Sequence, residues 1–525
     1  MSTTSESFDQ STLIAALLQP DCYPQPVPTV EHVQTHISHV LLAGDDAYKI
    51  KKPVNLGFLD FTSLERRHYY CQQELRLNRR LAPDLYLDCI SIGGDDAAHP
   101  VFGKEPAIEY AVRMRRFPQE ALLDRVLATG RLKPRHLDEL ARQLAYFHRT
   151  IPSADSTAPF GEPEQVRQPM LDNFAYTRPR LSDPDDLTTL AEVERWTLEA
   201  SERLRPRLLE RKASGWIREG HGDLHLGNML LNEEGHVVIF DCIEFNDALR
   251  WIDVVNDLAF LIMDLYARSA GSLAQRLLNL WLEFSGDFAG IPLLAYYQVY
   301  RAMVRAKINA IQAGQAGIPN ADRATAYEHC RDYLRLALAL TREPAPFLLI
   351  THGVSGSGKS QRTSQLLEVL PGAIRIRSDV ERKRLFGLGP LDDSRSSFGQ
   401  GLYTPEASAR TYLRLLELAD GLLAAHHPVL VDATFLKRAH REPFRELAAR
   451  HDAPFIVLEC VADPIALRER VAARRERGDD AAEADVAVLE QQLQFVESPM
   501  SDERPLQTSG DDDLTALQAA ISALL

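Results

Sequence analysis

Thr351-His352-Gly353-Val354-Ser355-Gly356-Ser357-Gly358-Lys359-Ser360 decides how the second half of this 525-residue chain folds. Gly353 and the run Gly358-Lys359-Ser360 match G-x-x-x-x-G-K-[ST], the phosphate-binding P-loop. Glycine is needed there so that successive backbone N–H groups can turn toward phosphate oxygens. The motif gives Lys359 the β- and γ-phosphates and the Ser360 hydroxyl Mg²⁺, with Gly353, Ser355, Gly356, Ser357 and Gly358 as the cradle. An apolar run at 346–350 precedes the motif and a helical pattern over 361–370 follows it, the strand–loop–helix setting that the motif requires.

Outward from this loop, residues 347–351, 373–377, 428–432 and 455–460 read as strands, and 359–370, 405–425, 438–450 and 464–477 as helices. The alternation predicts a parallel sheet with helices on both faces. Val429-Leu430-Val431-Asp432 is an apolar strand ending in a carboxylate, a second candidate metal ligand, with an ordinary strand end as the plain alternative. Asp379 follows the strand at 373–377 and Arg382 comes three residues later, with a plain helix N-cap as the alternative reading of Asp379. Arg470 and Arg474, one turn apart beside Arg475 and Arg477, read either as a basic lid over a transferring phosphoryl group or as a solvated basic helix.

The first half carries a different signature. His221-Gly222-Asp223-Leu224-His225-Leu226-Gly227-Asn228 sets an Asp and an Asn five apart, and the apolar run 237–240 ends in Asp241. Phosphoryl transfer needs a carboxylate to accept or orient a hydroxyl, which suits Asp223. Mg²⁺ needs hard oxygen ligands, which suits Asn228 and Asp241, while His221 braces the loop. Strands at 30–34, 40–43 and 47–51, a helix at 63–81 and strands at 85–92 and 108–114 come before it. Helices over 119–149, a Pro-, Ser- and Asp-rich loop at 152–169 and further helices to about 212 lead into it; 251–340 is almost wholly helical. Pro344 and Pro346 then break the helix and mark a boundary.

The run HGDLHLGN at 221–228, followed by VVIFDCIEFN at 237–246, resembles the aminoglycoside phosphotransferase/choline kinase group of protein-kinase-like enzymes. GVSGSGKS at 353–360, with RSDVER at 377–382 and VLVDATF at 429–435, resembles P-loop kinases of the polynucleotide kinase/zeta-toxin type. The first resemblance implies Asp223 as catalytic base, Asn228 and Asp241 on Mg²⁺, Lys49 on the ATP phosphates, Glu74 as its ion-pair partner, and residues 110–117 as the hinge that holds adenine. The second implies Asp379 activating an acceptor hydroxyl, with Arg382 nearby. Together they imply a mixed α/β and α+β chain. A lead-in at 1–27 precedes a bilobal kinase-like fold at 28–342, with a small β-rich lobe and a large helical lobe. A P-loop parallel sheet with flanking helices occupies 347–525. One departure is plain: no G-x-G-x-x-G precedes Lys49, and residues 35–39 stand in its place, leaving phosphate cover to backbone amides and Ser38. Lys51 and Lys52 rival Lys49, and Lys51 shares its strand face. Glu244 lies within sequence reach of the metal, whereas Asp247, Asp253 and Asp257 are expected to cap helices.

Composition narrows the function classes. Net charge is −15, and residues 341–525 carry 22 basic against 28 acidic side chains, so bulk nucleic-acid binding is not expected. Six cysteines without C-x-x-C pairs argue against zinc or a disulfide scaffold and suit a reducing compartment. The polar, acidic N-terminus does not read as a signal peptide, and no apolar run is long enough to span a membrane, so a cytoplasmic location is expected. The expectation is an ATP- and Mg²⁺-dependent phosphotransferase with a small-molecule hydroxyl acceptor at each of two sites. The rival classes are a first domain that binds nucleotide without turnover, an ATPase switch, and a module that uses ATP only structurally.

Overall fold

The computed structural model describes residues 10–57, 59–315, 317–394, 401–477, 480–503, 505–510 and 512–525, without the side chains of 475–477. It divides into two compact units. The first comprises Met1–His136, Ile151–Glu162 and Arg211–Leu258; the second comprises Leu137–Thr150, Pro163–Glu210 and Ala259–Leu525.

In the first unit, β1 (Val30–Gln34), β2 (Ser38–Ala43), β3 (Asp46–Lys51), β4 (Tyr86–Gly94), β5 (Pro100–Phe102) and β6 (Ala107–Arg115) form one antiparallel sheet in the order β1-β2-β3-β6-β4-β5. The side-chain period of two gives β3 two different faces. Tyr48 and Ile50 pack with Leu13 and Leu17 of α1 (Gln10–Leu17) and with Leu41 and Ala111. Ala47 faces the other way, with Cys71 of α2 (Leu64–Asn78), Tyr86 and Val112. Lys49 and Lys51 share the Ala47 side, and they therefore point at α2. Ser63 caps that helix by accepting from the Arg66 N–H, which satisfies one of the N–H groups left over at a helix start. The buried stripe of α2 is Arg67, Cys71, Glu74, Leu77 and Asn78, so its inner face is largely polar.

After β6 come α3 (Leu123–Ala128), α4 (Pro134–Thr150), α5 (Pro163–Thr177) and α6 (Pro184–Ala213). The 152–169 loop expected from composition ends early, because α5 starts at Pro163. A proline in the first helical turn has no N–H to leave unsatisfied, and Met170 and Phe174 then bury the helix. Pro169 is carried inside it. Two antiparallel strand pairs frame the 221–247 segment: β7 (Ile217–Glu219) with β10 (Trp251–Asp253), and β8 (Met229–Leu231) with β9 (Val237–Ile239). The one-turn α7 (Asp247–Arg250) precedes β10.

Four helices follow: α8 (Val254–Ala267), α9 (Gly271–Ser285), α10 (Leu294–Ala313) and α11 (Asn320–Leu340). In the second unit Phe174, Leu190, Val193, Phe260, Met263, Val299, Met303, Cys330 and Leu334 make one apolar core from five helices. The same unit holds β11 (Leu348–His352), α12 (Lys359–Val369), β12 (Ile374–Arg377), α13 (Ser378–Leu385), α14 (Pro405–Ala424), β13 (Val429–Asp432), α15 (Arg438–Arg450), β14 (Phe455–Cys460), α16 (Pro464–Arg477), α17 (Val486–Phe495), β15 (Pro505–Thr508) and α18 (Leu514–Ser522). Its five strands are all parallel, in the order β12-β13-β11-β14-β15. The βαβ expectation holds, with β15 as an unforeseen edge strand. It is four residues long and opens on a proline, which an edge tolerates.

Arg211 and Asp253 are both buried, with Nη2 to Oδ1 at 2.8 Å and Nε to Oδ2 at 2.5 Å. Asp253→Ala takes the paired carboxylate from that buried guanidinium, and it is expected to destabilise the fold by about 3–5 kcal/mol. A urea unfolding midpoint equal to that of the unaltered protein would contradict this.

Candidate active sites

The first site is built on Glu74. Lys49 Nζ lies 2.7 Å from Glu74 Oε1 and 2.7 Å from Asp241 Oδ1. Lys51 Nζ lies 2.7 Å from Glu74 Oε2 and pairs with Glu244 Oε1. Each oxygen of Glu74 thus holds one lysine. The Lys49 side chain is 15% exposed and that of Asp241 43%, whereas Lys51 is sealed at 0%. A ligand can reach Lys49 and not Lys51. Lys52 is turned to the Thr35 carbonyl at 2.6 Å. Burial alone would lower the Lys49 pKa, but Asp241 and Glu74 outweigh it and hold the group well above the ordinary lysine range. Burial likewise pushes Glu74 up, and Lys49 and Lys51 reverse that and hold it below the usual carboxylate range. Glu244, expected within reach of the metal, is instead buried in the Lys51 ion pair.

The 221–228 loop is fixed from behind. Gly222 has φ +86°, and a Cβ there would sit 2.6 Å from the Leu249 carbonyl, so only glycine fits. Burial lowers the His221 pKa, keeping the ring neutral. Its Nε2 then donates to the Phe240 carbonyl at 2.9 Å, and its Nδ1 accepts from the Asp223 N–H at 3.2 Å. The Asp257 carboxylate accepts from the His221 and Gly222 N–H groups at 2.6 and 2.9 Å. Its expected role as a helix cap is corrected: Asp257 sits inside α8 and fastens the loop. Asp253 does accept from the Val255 N–H at the start of α8, at 2.9 Å. Asp247 opens α7, whose cap is Asn246.

Asn228 Nδ2 donates to Asp223 Oδ2 at 2.9 Å and to the Asp223 carbonyl at 3.0 Å. His225 Nε2 is 3.4 Å from Asp223 Oδ2. The Asp223 side chain remains 37% exposed. Asp241 has φ +62°, a left-handed conformation that a non-glycine residue adopts at some cost and that recurs at functional sites. The Phe240 N–H bonds the Asn228 carbonyl at 3.0 Å, so the Asn228 and Asp241 stretches lie side by side. Residues 110–117 run from within β6 to Phe117, just beyond its end, and the Tyr110 ring stacks on His68 with centroids 3.8 Å apart. In the 35–39 loop the Thr35 hydroxyl accepts from the Ile37 and Ser38 N–H groups at 3.3 and 2.9 Å.

The second site begins at the P-loop. Gly353, Gly356 and Gly358 all have positive φ, and a Cβ on Gly356 would lie 2.8 Å from the Leu467 carbonyl in α16. Lys359 opens α12, with Gly358 at the cap and no side chain on the first amides, a favourable arrangement for an anion. Lys359 Nζ donates to the Val354 carbonyl at 2.7 Å, with Ser357 Oγ at 3.5 Å. Burial lowers its pKa, and the Asp432 charge opposes that. The Ser355 N–H donates to Gln492 Oε1 of α17 at 2.7 Å, and Ser360 sits in the first turn of α12. Asp379 lies inside the first turn of α13, whose cap is Arg377, so it is not the N-cap. Arg382 Nη1 is 3.6 Å from Asp379 Oδ1, and its guanidinium stands 5.1 Å over the Tyr403 ring. Arg474 Nη2 donates to the Ala484 carbonyl at 3.0 Å and acts on Lys359 electrostatically; Arg470 is exposed and packs at Gly510. The side chains of Arg475 and Arg477 lie outside the described residues.

Both donor sets fit a hard divalent cation. Among the described residues no three His, Cys, Asp or Glu side chains gather into a metal cluster. Mg²⁺ beside phosphates uses one or two protein oxygens and no all-protein cage. Asp241 with Asn228, and Asp432 with Ser360, offer such oxygens. Asp432 Oδ2 is buried and accepts no hydrogen bond from the described residues.

Residues 64–294 match the model of the phosphotransferase enzyme family, and residues 348–499 match that of an AAA domain. An uncharacterized protein of Mycobacterium tuberculosis H37Rv is 30% identical over 471 residues, which cover 89% of this chain and 91% of that one. An uncharacterized protein of Mycobacterium bovis matches to the same extent. Among solved structures, the amicoumacin kinase in complex with AMP-PNP, Ca²⁺ and Ami covers 62% of this chain and 93% of its own, at 14% identity and TM-score 0.39. Chaetomium thermophilum Kti12 in complex with ADP-AlF3 covers 34% of this chain and 98% of its own, at 17% identity and TM-score 0.28. No helix among the described residues is long and apolar enough to cross a membrane.

The two lysines on Glu74 should separate by experiment. Lys49→Ala is expected to weaken nucleotide binding and, because Glu74 keeps Lys51, to lower the melting temperature less than Lys51→Ala does. Lys51→Ala leaves the buried Glu74 and Glu244 carboxylates short of a partner and is expected to destabilise by about 3–5 kcal/mol. Equal effects of both variants on nucleotide affinity and on melting temperature would contradict the assignment.

Proposed function

The chain belongs to the same family as these mycobacterial proteins and carries a phosphotransferase enzyme domain followed by a P-loop kinase-like domain, and from that premise we propose that it is a bifunctional ATP- and Mg²⁺-dependent phosphotransferase. Each domain transfers the γ-phosphoryl group of ATP to the hydroxyl of a small-molecule or nucleotide-like acceptor. The domain boundaries proposed with this reading are those expected from sequence: a lead-in at 1–27, the first kinase-like domain at 28–342 and the P-loop domain at 347–525. The observation that carries the reading is the convergence of Lys49, Glu74 and Asp241, with Asp223 and Asn228 bonded to each other in the same unit.

In the first site the Asp223 carboxylate, oriented by Asn228 and partly exposed, orients the acceptor hydroxyl and takes up its proton. Lys49, restrained by Glu74, meets the ATP phosphates. Asp241 and Asn228 would hold the Mg²⁺, whose charge offsets that of the phosphates. In the second site the P-loop amides, Lys359 and Ser360 bind the nucleotide, Asp432 would share the Mg²⁺, Asp379 orients its acceptor, and Arg382, Arg470 and Arg474 lend positive charge around the transferring group. The acidic side chains of the first site suit an acceptor that carries a positive charge.

One observation favours a second reading for the first domain. The Ile37 and Ser38 amides at the tip of the 35–39 loop are held by Thr35 and are not turned toward a phosphate. That domain would then bind nucleotide as a regulatory module without turnover.

The test is ADP release by the full chain against a panel of hydroxyl-bearing metabolites. Lys359→Ala, which leaves only the first site, should abolish the P-loop share of turnover, a loss of at least about 10²-fold by analogy with removing one donor to developing charge. Asp223→Asn in that background should remove the remaining transfer while ATP still binds. If Lys359→Ala alone already eliminates all turnover with every acceptor, the regulatory reading of the first domain replaces the catalytic one.

A further inference from the structure

Strand β12 is one edge of the P-loop sheet, and helix α9 covers it. Gln275 Nε2 and Asn279 Nδ2 donate to the Ala373 carbonyl at 2.9 and 3.1 Å, and Asn279 Oδ1 accepts from the Arg375 N–H at 2.7 Å. Two side-chain amides thus do what a neighbouring strand would do for an open edge. One turn further on, the buried Glu283 carboxylate contacts Arg375 Nη2 and lies 3.3 Å from Arg377 Nη1. Arg375 also donates to Ser364 Oγ of the P-loop helix at 2.5 Å. Helix α9 lies within the 64–294 stretch matched by the phosphotransferase enzyme family.

Arg377 ends β12 in register with Asp432 at the end of β13. Its guanidinium faces three carboxylates. Nη1 meets Glu283 Oε2, Nη2 donates to Asp480 Oδ1 at 2.6 Å, and Nε stands 3.6 Å from Asp432 Oδ2, beyond hydrogen-bond range. Burial alone would lower the Arg377 pKa, but Glu283, Asp480 and Asp432 reverse that and hold it above the ordinary arginine value. The strong contacts are therefore on the Glu283 and Asp480 side, and Asp432 keeps a buried oxygen that accepts no hydrogen bond from the described residues.

We propose that Glu283 is a positioning residue of the P-loop site: with Asp480 it holds Arg377 just short of Asp432, so that the Asp432 carboxylate stays open to the divalent cation of a metal–nucleotide complex. The inference rests on the reading of 353–360 and Asp432 as a nucleotide site. Without the Glu283 charge the guanidinium closes on Asp432, and a direct ion pair then competes with the cation. The first kinase-like domain thereby supplies, from α9, a part of the second domain's site. A cut at residues 343–346 removes that part.

The test uses the full chain carrying Lys49→Ala and Asp241→Asn, so that metal-dependent nucleotide binding reports on the P-loop. AMP-PNP binding is measured by calorimetry across a Mg²⁺ titration and in EDTA. Glu283→Gln is expected to raise the half-saturating Mg²⁺ concentration about 10-fold, as the loss of an outer-shell partner of a metal ligand does, while metal-free affinity stays unchanged. A purely structural role would lower the melting temperature without moving that midpoint. Asp480→Asn removes the other restraint on Arg377 and is expected to shift the midpoint in the same direction; it decides the matter if Glu283→Gln does not fold. An unchanged midpoint in folded Glu283→Gln, or in Asp480→Asn where Glu283→Gln fails to fold, overturns the proposal, provided Lys359→Ala abolishes binding in the same background. If Lys359→Ala binds AMP-PNP undiminished, the P-loop reading itself is overturned, and this proposal with it.

Discussion

One buried carboxylate organises the first unit. Glu74 is fully buried with a lysine on each oxygen, and taking these charges out of water is repaid only if each keeps its partner. The constraint ties three parts of the chain together. It fixes β3 through Lys49 and Lys51, fixes α2 through Glu74 itself, and fixes the 241–244 segment through Asp241 and Glu244. The two lysines divide the work. Lys51, sealed and doubly paired, locks the geometry, and this leaves Lys49, at the open side, able to exchange a carboxylate for a ligand. An anionic ligand that reaches Lys49 competes with Asp241 for it.

The features legible in the sequence are those whose geometry is local. Spacing alone sets the His221–Asn228 loop and the Gly353–Ser360 cradle, because each is a few residues of backbone with fixed requirements at Gly222 and Gly356. The apolar strands at 348–352, 429–432 and 455–460 announce a buried parallel sheet for the same reason. What stayed hidden depends on distant partners. Asp257 looks like a helix residue near a helix start, and only the fold brings the His221 and Gly222 amides onto it. Glu244 looks like a metal ligand by its distance along the chain from Asp241, but Lys51, 193 residues away, claims it. Helix α2 hides its inner face, since that face carries Arg67, Glu74 and Asn78 where an apolar stripe would normally report burial.

The Glu343–Pro346 break illustrates the same limit. Prolines break a helix for local reasons, and α11 ends at Leu340, shortly before Pro344. Yet the contacts that close the β12 edge come from Gln275 and Asn279, far upstream. A covalent break in secondary structure and a break in packing are separate things, and composition reports only the first.

The two sites, unrelated in fold, arrive at a similar electrostatic arrangement. In each, a cation is flanked by a buried carboxylate that restrains it and by a second carboxylate that is a candidate metal ligand: Lys49 between Glu74 and Asp241, and Arg377 between Glu283 and Asp432. The difference lies in the outer contact, 2.7 Å for Lys49 to Asp241 and 3.6 Å for Arg377 to Asp432. A lysine ammonium on a flexible stem can leave one partner for another, so direct contact with the metal carboxylate does not preclude its meeting a phosphate. A guanidinium is rigid, permanently charged and able to bind a carboxylate through two parallel bonds, so direct contact would hold Asp432 closed. An arginine beside a metal ligand has to be held off by something, and in this chain the group placed to do so is Glu283, one turn beyond the amides that close the sheet edge.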